Sequence, residues 1–187
     1  MRSLQSTTVA LLVLIGCLGA TRPLSAQAPA RDGFFIGFGV GGGSIGFEGD
    51  EEREVGGTGY FKIGGALSDK ILLGAEFGAW SKEMGEEGLS GTVTSSNLNM
   101  VVYVYPDPTG GFFVKGGPGF AVLSAAVKFG DVTISETDNG FGFTLGAGYD
   151  IGFGGRFGLT PHAEFHYGGF AESSINLIRV GLGFNWY

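Results

Sequence analysis

The chain has 187 residues, 38 of them glycine and 17 phenylalanine, with only 16% charged and a net charge of −7. An apolar share of 43% is too high for a disordered linker, and six prolines without a G-X-Y register exclude collagen. The acidic balance excludes the basic face of a nucleic-acid binder, and the length suits one domain.

Residues 1–28 read as a secretory signal. Arg2 supplies the positive start, Val9 to Gly19 the apolar stretch, and Ala26-Gln27-Ala28 the small-x-small cleavage pattern. Residues 29–32 form a short N-terminal segment ahead of one domain, 33–187. Leu14-Ile15-Gly16-Cys17 also resembles a lipobox, which would make Cys17 a lipidated N-terminus; the other reading leaves Cys17 as an apolar residue of the cleaved signal. On that second reading the mature chain has no cysteine and no disulfide. Its charge is then 9 basic against 18 acidic residues.

From residue 33 onward the apolar pattern has period two, the mark of strands. Eight runs follow, near 33–47, 54–67, 70–82, 91–105, 111–123, 140–153, 156–168 and 174–187. The sixth sets Phe141, Phe143, Leu145, Ala147, Tyr149, Ile151 and Phe153 on one face, with glycine, threonine and Asp150 on the other. In the seventh, Pro161 removes a ladder donor, so a local bulge is expected there. The eighth sets Ile178, Val180, Leu182, Phe184 and Trp186 against Leu177, Arg179, Gly181, Gly183 and Asn185. No segment shows a helical period.

The links alternate. Ser68-Asp69, Pro106 to Gly110 and Gly154-Gly155 are short. Glu48 to Arg53, Glu83 to Ser90, Ser124 to Asn139 and Gly169 to Ser173 are longer or more polar. An even number of strands with short turns at one end and long loops at the other is the arrangement of a transmembrane barrel. A soluble sandwich also alternates, but its second face would carry the lysines, glutamates and serines that meet water. Here that face is mostly glycine, as a narrow eight-stranded interior requires, and the Phe, Leu, Ile and Val face suits acyl chains. Girdle aromatics are expected at Phe34, Phe112, Phe153, Phe157, Phe184 and Trp186 on the short-turn end, and at Phe47, Phe141 and Tyr167 on the other. The expected fold is therefore all-β, an eight-stranded antiparallel up-and-down barrel crossing the outer membrane.

On this register Lys62, Glu76, Lys115, Asp150, Glu164 and Arg179 point inward with His162 and His166. Three positive and three negative groups form a balanced set, as buried charges need partners. The expectation is a polar network plugging the lumen; the alternative is a small passive pore.

The signal, the eight runs, the loop asymmetry and the ending Gly-Phe-Asn-Trp-Tyr resemble the small outer-membrane barrels of the OmpA/OmpX type, often labelled porin family. The resemblance spans 33–187 and implies a structural, adhesive or surface ligand-binding role. It also implies contact with outer-membrane lipids and lipopolysaccharide, and recognition of Phe184, Trp186 and Tyr187 by the barrel-assembly machinery. Tyr187 departs from the usual ending, being out of phase with Phe184 and Trp186. A monomer is expected, with no cofactor.

Further patterns bear on chemistry. Gly37 to Gly42 matches G-x-G-x-x-G, but a dinucleotide site needs a helix to follow and none does. His162, Glu164 and His166 share one strand face over about 13 Å without a fourth ligand, so no metal site is assigned. His166-Tyr167-Gly168, followed by Ser173, Ser174 and Asn176, is similar to the motif of lipid A deacylase barrels of the PagL type. The nucleophile position is Gly168, which leaves the histidine nothing to activate and argues against an enzyme. Twelve acids, Glu48, Asp50, Glu51, Glu52, Glu54, Glu83, Glu86, Glu87, Asp131, Glu136, Asp138 and Glu172, lie at the long-loop end. They read as a solvated rim or as a place for divalent cations, although none has EF-hand spacing.

Overall fold

The computed structural model describes Pro29 and residues 31–86, 89–129 and 132–187. The expected signal segment 1–28 with Cys17, and the acids Glu87 and Asp131, lie outside the described residues. The strands are β1 (Phe34–Phe47), β2 (Arg53–Ala66), β3 (Ile71–Glu86), β4 (Leu89–Val104), β5 (Phe112–Phe129), β6 (Val132–Tyr149), β7 (Ile151–Gly152), β8 (Phe157–Gly169) and β9 (Ser174–Trp186). Every pairing is antiparallel. The order runs β1 to β6, then β8 and β9, and β9 pairs back onto β1, closing a ring of eight. The two-residue β7 lies outside that ring order and pairs only with β8, on the register that β6 uses higher up: Gly148 faces His162 and Ile151 faces Leu159.

The register fixes the geometry. Following partners from Gly37 leads through Lys62, Glu76, Asn99, Gly119, Gly142, Gly168 and Ile175 to Phe47, ten residues further along β1. A stagger of that size on eight strands tilts each by about 40° and leaves an interior only wide enough for side chains.

Glycine makes that interior fillable. A methyl at Gly183 would strike the Tyr60 hydroxyl, one at Gly37 the Lys62 and Asn185 side chains, and one at Gly78 the Arg179 guanidinium. Each inward glycine is the space into which a long polar side chain from another strand extends. The outward face carries exposed Phe38, Phe61, Phe77, Leu98, Phe120 and Phe141, one hydrogen-bonded row around the wall. A closed ring leaves no open edge, so its strands can pair their backbone groups with one another, the condition for crossing lipid.

The aromatics expected at the short-turn end, Phe34, Phe112, Phe153, Phe157, Phe184 and Trp186, are all exposed on the outer face. At the other end Phe141 is exposed and Tyr167 stacks on Phe143 at 5.6 Å. Phe47 does not join them: it is inward in phase and packs against Ile45, Trp80, Ile175 and Leu177. The Pro161 bulge is also absent. β8 and β9 stay in one register through Pro161, paired with Leu182, and the proline stands instead where the β6 ladder breaks. Pro118 does the same between β4 and β5, where the pairing skips from Asn99–Gly119 to Val102–Gly116.

The largest departure from expectation concerns the links at 83–90 and 124–139. β3 and β4 pair up to Glu86 and Leu89, and β5 and β6 from Phe129–Val132 down, so most of both links is strand. β6 meets β8 only from Phe141 downward. Strands β3 to β6 therefore rise beyond the ring as a sheet with an open β6 edge. Residues 132–139 are exposed on both faces, which erases the period-two signal that marks a strand with one apolar side.

The short turns close by local chemistry. The Thr109 amide and hydroxyl both donate to Asp107 Oδ1, at 2.9 and 2.8 Å. Gly154 and Gly155 take φ of +100° and +66°, which glycine adopts without strain.

Candidate functional site

The lumen is filled in layers. At the short-turn end Asp150 is fully buried and surrounded by donors: Tyr187 OH at 2.6 Å, Tyr105 OH at 2.9 Å, Thr160 Oγ1 at 2.5 Å and Asn185 Nδ2 at 3.1 Å. Arg31 lies across this floor. Its guanidinium is 3.6 Å from the Tyr105 ring centre, and Nη2 donates to the Gly110 carbonyl at 2.7 Å. Tyr187 is out of phase with Trp186 because it turns into the floor while Trp186 stays on the wall.

Above it, Phe35, Leu72, Val101, Tyr103 and Phe113 pack together with Tyr105 and Tyr187. The Lys62 ammonium sits 4.8 Å from the Tyr103 ring centre and 5.6 Å from that of Phe113. Cation–π attraction replaces a carboxylate partner there.

The ion layer follows. Lys115 Nζ donates to Glu76 Oε1 at 2.7 Å and Oε2 at 2.6 Å, and also pairs with Glu164. Glu164 pairs in turn with Arg179, whose Nη1 donates to Asn97 Oδ1 at 3.2 Å. Tyr103 OH donates to Glu76 Oε2 at 2.8 Å. The chain Tyr103–Glu76–Lys115–Glu164–Arg179–Asn97 thus links β3, β4, β5, β8 and β9 across the lumen. A second apolar cluster, Ile45, Trp80, Ile175 and Leu177, caps it on the loop side, with Trp80 Nε1 donating to the Gly43 carbonyl at 3.0 Å.

The eight inward residues singled out from the sequence divide among these layers. Glu76, Lys115, Glu164 and Arg179 form one network, Asp150 belongs to the floor, and Lys62 lies on the aromatic layer. His162 packs edge-on to Tyr60 at 4.9 Å, and His166 is fully buried with neither ring nitrogen bonded to protein. Sequence reasoning missed Arg31, Tyr60, Asn97, Asn99, Tyr103 and Tyr105. The strand residues among them share the inward phase of their runs, and that phase was the available signal.

At Gly168 an added Cβ would lie 3.0 Å from Ala121 Cβ and 3.2 Å from Ile175, so the position of the deacylase nucleophile is crowded as well as empty of a hydroxyl. Ser174 is engaged elsewhere, donating to Glu48 at 2.8 Å. Among the described residues no three His, Cys, Asp or Glu side chains converge on a metal position.

Above the upper cap lies an open cleft of about 470 Å³. The β2–β3 ladder ends at Gly57–Ser81, although β3 continues to Glu86, so the two strands diverge. Phe47, Trp80, Met84 and Val93 form the apolar walls, Asp50, Glu51 and Glu52 the rim, and Lys82 pairs with Glu54 across the opening.

Known proteins share this architecture. The family profile described as outer membrane protein beta-barrel domain matches residues 9–186. The solved structure of Ail, the attachment invasion locus protein of Yersinia pestis, superposes with a TM-score of 0.64 at 11% identity, covering 83% of this chain and 99% of that one. Ail in complex with the heparin analogue sucrose octasulfate gives 0.66 at 11% identity over the same shares. Neisserial surface protein A gives 0.59 at 13% identity, covering 83% of this chain and 97% of that one. No curated protein matches the chain. The chain belongs to the outer-membrane β-barrel domain family and resides in the bacterial outer membrane.

Proposed function

We propose that this outer-membrane barrel is a closed anchor that presents a surface-binding or adhesive face, and that it is neither a conduit nor an enzyme. The observation carrying this reading is the layered interior: a sealed floor around Asp150, an ion network through Lys115, and an apolar cap at Trp80. An ion crossing the lumen would have to push through both apolar clusters and break a buried salt-bridge chain, each costly to open. The groups left free to meet a partner lie outside the ring, on the β3–β6 sheet and the acidic mouth.

The mouth also bears on the class of partner. Ail has been solved with a polysulfated sugar; the rim of Asp50, Glu51 and Glu52 would repel such a ligand and favours cationic ones. Planar-bilayer recording tests the anchor reading. The purified barrel should insert without discrete conductance steps, and reproducible steps from the folded form would reject it in favour of a pore. Incubation with lipid A should release no acyl chains.

A further inference from the structure

We propose that the mouth cleft between β2 and β3 binds an organic cation with an apolar body, its charge met by Asp50, Glu51 and Glu52 and its body held by Phe47 and Met84 above the buried Trp80. This rests on the surface-binding reading above and adds the ligand class.

Three observations converge. First, the cleft is built by the fold. Below Ser81 the two strands are laddered, and above it they separate while both continue. Its volume, about 470 Å³, falls in the range of small-molecule sites. Second, the charge is uncompensated among the described residues. Lys82 is the cation lining the cleft, and Glu54 already holds it. Arg53, beside the rim, is turned away to Ser44 and Asn176. Third, the walls offer contact area but few hydrogen bonds. Met84 is exposed and Phe47 half-buried, while Trp80, its Nε1–H spent on the Gly43 carbonyl, is buried directly beneath them.

A bare divalent ion fits this site poorly. It needs several oxygens within coordination distance, and no such convergence exists among the described residues. Spread carboxylates beside an apolar wall instead suit a diffuse positive charge on an apolar frame, to which the Phe47 ring adds cation–π attraction.

The test uses the full barrel carrying Trp186→Phe, in nanodiscs of zwitterionic phospholipid. Trp80 is then the remaining tryptophan and reports from directly beneath the cleft. Tetraphenylphosphonium is the probe, tetraphenylborate its isosteric anion, and empty nanodiscs supply the partitioning background. A saturable change in Trp80 emission is expected with the cation alone. The triple variant Asp50→Asn, Glu51→Gln, Glu52→Gln should weaken it at least tenfold, as should Met84→Arg, which fills the cleft with a like charge. Both changes lie in the solvent-facing mouth, and heat-modifiable migration on gels checks that each variant is folded. A non-saturable response, an equal response to the anion, an equal response to calcium, or less than a twofold effect of both variants overturns the proposal. Conductance steps would overturn the closed-anchor reading instead, and neither result decides the other.

Discussion

Lys115→Met isolates the ion layer. The methionine keeps most of the stem volume while deleting the charge that joins Glu76 to Glu164. Both carboxylates are buried, with side-chain exposures of 0% and 1%, and Lys115 itself is at 3%. Glu76 would retain only the Tyr103 hydroxyl, and Glu164 only Arg179 and no second cation. A hydrogen bond to a charged group contributes about 1.5–3 kcal/mol, and Lys115 serves two carboxylates. Breaking a buried pair from one side costs about 3–5 kcal/mol. The two routes agree on a loss of about 4 kcal/mol. Urea unfolding of vesicle-refolded protein, followed by tryptophan emission, measures it. Adding Glu76→Gln in a double-mutant cycle should recover some of the loss, because the orphaned charge is then gone. A loss under about 1 kcal/mol, with no coupling between the two sites, would refute the claim that this layer holds the barrel shut.

Other outcomes follow from the same geometry. Lys82→Met removes a pair that is 31% and 40% exposed, so the same urea assay should register a change within about 1 kcal/mol. Tyr187→Phe deletes the 2.6 Å bond to Asp150 and should cost about 1–3 kcal/mol, with the floor side chains reporting the change by NMR. Gly183→Leu drives a side chain into the Tyr60 hydroxyl; overpacking of this kind costs about 1–3 kcal/mol, read as a lower urea midpoint. Replacing residues 126–135 with Asn-Gly shortens the β5–β6 hairpin in its exposed portion, above the β6–β8 ladder. The barrel should still refold and migrate as the compact form.

Much of this was legible because a membrane wall imposes one apolar side on every strand. The runs at 33–47 and 174–187 match β1 and β9 within a residue of each bound. The inward phase put Glu76, Lys115, Glu164 and Arg179 on one side before any pairing was known. Legibility stops where the lipid stops. Val132 to Asn139 is strand with water on both faces, so the brief alternation of Val132 and Ile134 with Thr133 and Ser135 stops at Glu136 and no apolar face marks the run. The partners also escaped the sequence. That Lys62 rests on rings while Lys115 takes two carboxylates depends on the ten-residue stagger, which couples strands distant along the chain. Phase says which way a side chain points and nothing about its height.

That stagger acts as a parity rule on how the chain can change. The row leaving Gly37 returns at Phe47, an even displacement, and an antiparallel ring whose two faces differ can close only on an even one. Unless a β-bulge absorbed it, a single-residue insertion inside a strand would turn every later side chain of that strand over, sending Glu164 toward lipid and Phe165 into the ion layer. Regularly paired wall can therefore vary in length only in steps of two, while the exposed hairpin tips accept any number. The wall is constrained by arithmetic and the surface is left free to diversify.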